Sequence, residues 1–93
     1  MDENEQYKSL ITEVIGKQIV ILGPEIAVLK ARNVKTLEVS NEGKVLKIEG
    51  DPKAALENLV DEYVALSGQI VRSALTSVFT KYPELAKSAV EKI

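Results

Sequence analysis

Apolar side chains recur at helical spacing over the first part of the chain. Tyr7, Leu10, Ile11, Val14, Ile15, Ile21 and Leu22 fall on one face at about 100° per residue, with Thr12 and Gly16 opposite. The acidic residues Asp2, Glu3 and Glu5 precede this stripe, where carboxylates favour the positive end of a helix dipole. Gly23-Pro24 closes the helix and opens a second, because Gly suits a left-handed cap and Pro suits a first helical position. The second helix is expected to run to about Arg32, with Ile26, Ala27, Leu29 and Ala31 as its apolar set. Asn33 is its expected terminator, being tolerant of positive φ.

The period then changes from helix to strand. Residues 34–40 and 45–49 flank Asn41-Glu42-Gly43-Lys44 and read as a β-hairpin. A four-residue loop sets Val39 against Leu46, Leu37 against Ile48 and Glu38 against Lys47. One face is then aliphatic and the other carries an opposite-charge pair. A three-residue loop would set Leu37 against Lys47 and is rejected.

Gly50-Asp51-Pro52 starts a third helix, with Asp51 as cap and Pro52 in the first turn. Its apolar positions, from Leu56 through Leu59, Val60, Tyr63, Val64, Leu66, Ile70, Val71, Ala74, Leu75 and Val78, occupy one half-cylinder. The pattern predicts a rod to about Lys81, near 45 Å at about 1.5 Å per residue. Tyr82-Pro83 interrupts it, and a short helix over about Glu84 to Glu91 follows. The expected fold class is α+β in the order α-α-β-β-α-α, a single domain over residues 1–93, with the hairpin packed against the long C-terminal helix.

Two features of this pattern point to a second copy of the chain. A lone hairpin is marginal in water and leaves two strand edges unpaired. The long helix carries only Arg72 as a charge between Tyr63 and Thr80, with an apolar face wider than one neighbour needs. The expectation is a homodimer whose shared surface draws on Leu37, Val39, Leu46, Ile48, Tyr63, Leu66, Ile70, Ala74 and Val78. A membrane span is not expected, since Ser67, Gln69, Arg72, Ser73, Thr76, Ser77 and Thr80 would all enter hydrocarbon.

Composition narrows the function further. With 93 residues, 45% apolar, the chain can bury roughly 60 to 65% of its unfolded surface, enough for one modest core. It has neither His nor Cys, which removes the commonest general base, the commonest zinc and haem ligands and the best nucleophile. No catalytic, cofactor or metal residues are therefore expected. The absence of Cys and of a signal-peptide pattern favours a cytoplasmic setting. A net charge of −2, spread over mixed signs, gives no field for nucleic acid or anionic lipid.

Individual residues refine this picture. Gln18 lies within the first helix's apolar stripe, where an amide either bends to the rim or fixes register through a buried contact. Ser67, Gly68 and Ala74 are small and suit a helix crossing. Lys30, Arg32, Lys35, Lys44, Lys47 and Lys53 are interleaved with Glu38, Glu42, Glu49 and Asp51, as on a solvated mixed-charge surface. Glu57 and Asp61 share a helix face as ordinary solvated carboxylates, while Tyr7, Tyr63 and Tyr82 suit core or rim packing. The expected function is a non-enzymatic homodimeric interaction or regulatory module. The alternative is a sensor holding a small apolar molecule between the long helix and the hairpin.

Overall fold

The computed structural model of the protein describes residues 2–91, without the side chains of Ser67, Gln69 and Ile70. Its elements are α1 (Glu3–Leu22), α2 (Pro24–Arg32), β1 (Leu37–Val39), β2 (Val45–Ile48), α3 (Pro52–Lys81) and α4 (Lys87–Val90). Helix α1 begins a turn earlier than its apolar stripe, because Asp2 caps it by accepting from the Glu5 N–H at 2.9 Å. Gly23, at φ 89°, ends α1, and Pro24 opens α2 directly behind it. Asn33 does not use positive φ: it sits at −68° and its side-chain amide donates to Glu62 Oε1 at 3.0 Å.

Helix α1 is the shared partner of the fold, packing against α2, β2 and α3. The hairpin rests on α1 and α2 rather than on α3, contrary to the sequence expectation. Three local interactions explain this placement. The turn at Gly43 lies so close to α1 that an added Cβ would stand 2.6 Å from Ile19 Cδ1 and 3.0 Å from Ile15 Cγ2. The Val45 N–H donates to Thr12 Oγ1 on α1 at 3.1 Å. The Arg32 guanidinium at the end of α2 donates to Val39 O at 3.0 and 3.3 Å and to Asn41 Oδ1 at 2.9 Å. Both strands thus have backbone groups held by helices of the same chain, and hydrogen bonds to charged groups contribute roughly 1.5 to 3 kcal/mol each.

Hairpin register follows the expectation for Leu37 opposite Ile48 and Glu38 opposite Lys47, then departs from it. Val39 pairs with Val45, and Leu46 is the extra residue of a β-bulge. The connection is closed by Ser40 N to Lys44 O at 2.9 Å and Gly43 N to Ser40 O at 3.0 Å. The bulge turns Val45 into the core and leaves Leu46 about half exposed at 49%.

The straight rod expected over residues 52–81 is also corrected. A straight 30-residue helix would be about 45 Å long, whereas the longest dimension of the molecule is 30 Å. Helix α3 therefore folds back, and its contacts locate the reversal. Tyr63 OH reaches α2, donating to Ala27 O at 2.7 Å, and Glu62 meets Asn33. Lys81 and Tyr82 return to Glu13 in the middle of α1, and Glu84 and Ser88 line the same hollow as Lys53 at the start of α3. The turn lies between Tyr63 and Lys81, and an outgoing and a returning arm share α1. The solvent-accessible surface of 5255 Å² agrees with the roughly 5,300 Å² expected of a compact monomer of this mass. No rod projects from it. The final helix is shorter than expected, four residues preceded by turns over 83–86.

Candidate functional site

Eight of the nine side chains expected to form a shared surface are described, and they divide between the core and the surface. Leu37, Val39, Ile48, Tyr63 and Val78 are buried in the chain's own core. Leu46 and Leu66 are exposed, Ala74 is half-buried, and the Ile70 side chain lies outside the described residues. Leu37, Val39, Val45 and Ile48 of the hairpin belong to one buried cluster with Leu56, Leu59 and Val60 of α3.

A different set of apolar side chains faces solvent. Val20 at 84%, Leu29 at 62%, Ile26 at 48%, Leu66 at 44% and Ile21 at 37% are five of the seven large exposed apolar residues among those described. They come from the end of α1, from α2, and from α3, which the Tyr63 hydrogen bond brings to α2. Helix α2 buries its small residues Ala27 and Ala31 with Val28, and turns Ile26 and Leu29 outward. The sequence carried this signal twice. Positions 27, 28 and 31 share a helical face that excludes 26 and 29, and four consecutive apolar residues, Ile19-Val20-Ile21-Leu22, cannot all face one core.

Polar chemistry concentrates where the end of α3 meets α1. Glu13 accepts from Tyr82 OH at 2.6 Å and from Lys81 Nζ at 2.9 Å. The tyrosine hydrogen bond, then the lysine hydrogen bond, hold the Glu13 carboxyl below its ordinary value. The same hydrogen bond to Glu13, followed by burial, pushes the Tyr82 phenol up. Burial raises the phenol of Tyr63. Each tyrosine is thus a committed donor rather than a phenolate at neutral pH, so the arrangement latches the returning arm of α3 to α1 and supplies no nucleophile.

Gln18 and the Ser88 hydroxyl are the exceptions to a satisfied interior among the described residues. The larger exception is Gln18. It is wholly buried, and neither Oε1 nor Nε2 has a hydrogen-bond partner. It neither bends to the rim nor pairs with another polar group. Among the described residues no three carboxylates gather into a metal-binding group, and no helix is long and apolar enough to cross a membrane. No family model matches the chain, and neither a curated protein nor a solved structure matches it.

Proposed function

We propose that this chain is a non-enzymatic homodimeric module of the protein-interaction or regulatory class. The observation that carries the reading is the exposure of Val20, Ile26, Leu29 and Leu66 on a molecule whose remaining large apolar residues are mostly buried. Val20 and Ile21 end α1 and Ile26 and Leu29 lie on α2, which packs against it, and exposed apolar groups on adjoining elements suit an association surface. Charge favours a second copy as the occupant. Helix α2 carries exposed Glu25 in its first turn, and half-buried Lys30 and exposed Arg32 in its last, so two antiparallel copies oppose unlike charges around Ile26 and Leu29.

Light scattering at micromolar concentration tests this directly. The expected mass is twice 10.2 kDa, and Leu29→Lys combined with Val20→Lys is expected to return it to one chain without loss of helical circular dichroism. A wild-type protein that stays monomeric as concentration rises a hundredfold overturns the proposal.

A further inference from the structure

We infer that two copies of this chain exchange the returning arm, residues 71–91, by straightening α3 into one continuous helix. The inference rests on the self-association proposed above and specifies how it is achieved.

Two other breaks in the chain are written locally, although α2 ends at Asn33 in the right-handed helical region without Gly or Pro. Between α1 and α2 the chain uses Gly23 at φ 89° followed by Pro24, and before α3 it uses Gly50 at φ 72° followed by Asp51 and Pro52. The reversal within α3 has no such device. No Pro occurs between Pro52 and Pro83, and Gly68 is not among the positive-φ glycines. The backbone is α-helical from Pro52 to Lys81. An added Cβ at Gly68 would meet only Val64 Cγ1, on its own helix, at 3.7 Å, so no neighbouring element forces a glycine there. The apolar stripe likewise continues through the turn, from Leu59, Tyr63 and Leu66 to Ile70 and Ala74. The local code at this point favours an unbroken helix, and packing on α1 alone imposes the bend.

Exchange preserves what holds the arm in place. Val71, Leu75, Val78, Phe79, Ala86 and Ala89 are all buried, and an arm donated by a second copy buries them at the same positions. The Glu13 contacts with Lys81 and Tyr82 are likewise re-formed between chains. The continuous helix that would join the two copies carries the exposed Leu66. Connections too short or strained to close comfortably favour this mode of pairing.

The test uses the ion pair itself. Equal amounts of ordinary and nitrogen-15-labelled full-length chain are unfolded together, refolded at high concentration and separated by size. Each fraction is treated with a zero-length carbodiimide, which joins Lys81 to Glu13 where their charged groups touch at 2.9 Å. In the dimer, about half of the Lys81–Glu13 cross-linked peptides are expected to join one labelled and one unlabelled partner. In the monomer all should carry a single label. Insertion of Gly-Ser-Gly-Ser after Gly68 lets the arm close on its own chain, and should reduce the dimer at least tenfold while keeping the intramolecular cross-link. Gly68→Ala should increase the dimer severalfold. Dimers whose cross-links never mix labels overturn arm exchange but leave self-association through the exposed apolar side chains standing. Monomer alone at every concentration overturns both.

Discussion

At the scale of single residues, Gln18 and Gly43 mark opposite kinds of constraint. Gln18 sits wholly inside the protein with both amide atoms unpartnered, and an unsatisfied buried polar group costs about 1 to 3 kcal/mol. Leucine has nearly the same reach and no polar atoms. Gln18→Leu is therefore expected to raise stability by roughly 1 to 3 kcal/mol, read as a higher urea midpoint with an unchanged slope. A lower midpoint would show that the amide finds a partner in solution. Gly43 is fixed by both conformation and space. Its φ of 88° disfavours any side chain, and a Cβ there would press on Ile19 and Ile15 of α1. Gly43→Ala should destabilise by about 2 to 4 kcal/mol, combining a strained backbone with a small overpacking cost. The flexible Ile19 Cδ1 can yield, so the folded state survives.

At the scale of elements, the returning arm of α3 is attached to α1 by a titratable latch. The carboxyl of Glu13 lies below its usual value of 4.5, first because Tyr82 donates to it and then because Lys81 does. A depressed folded value means that the stabilisation is complete above about pH 4.5 and drains away as pH falls through the lower folded value. The Tyr82 phenol has the opposite sign: raised above 10, it contributes below that pH and is lost as pH climbs through the folded value. Glu13→Gln and Tyr82→Phe should each flatten the fall of the urea midpoint between about pH 5 and pH 3, and a slope equal to wild type would dissociate the latch from acid stability. Elements whose ends are written locally were legible in advance: the Gly23-Pro24 junction, the Asp51-Pro52 start, and the pairing of Leu37 with Ile48. The bulge at Leu46 was not, because Thr12 and the contact of Gly43 with Ile15 and Ile19 impose it from α1, over 25 residues away. The outward turn of Leu29 was missed for another reason, since its helix buries two alanines in preference to its larger side chains.

At the scale of the whole molecule, the sequence and the folded chain disagree over α3, and the disagreement has a kinetic consequence. The periodicity describes a rod of about 45 Å, while tertiary packing returns its second half to α1 within a body 30 Å long. Local preference and global packing rarely conflict in a chain selected for one state. Here the conflict is resolved differently in the closed and exchanged forms, which share one set of buried contacts. Passing between them requires lifting the arm, and thus exposing Val71, Leu75, Val78 and Phe79, all buried at 4% exposure or less. Burying one such side chain is worth about 1.5 to 3 kcal/mol, so the opening barrier should approach that of unfolding the arm. An isolated dimer diluted below micromolar concentration is then expected to persist for hours at 25 °C, and to convert to monomer within minutes close to the thermal midpoint, because unfolding rates climb steeply with temperature. A dimer held only by Val20, Ile26, Leu29 and Leu66 would instead separate quickly on dilution at any temperature. Repeated size separation of one diluted sample over a day, at two temperatures, tells these apart. Slow, strongly temperature-dependent decay would tie the association to α3, and decay complete within the first separation would confine it to the surface of α2.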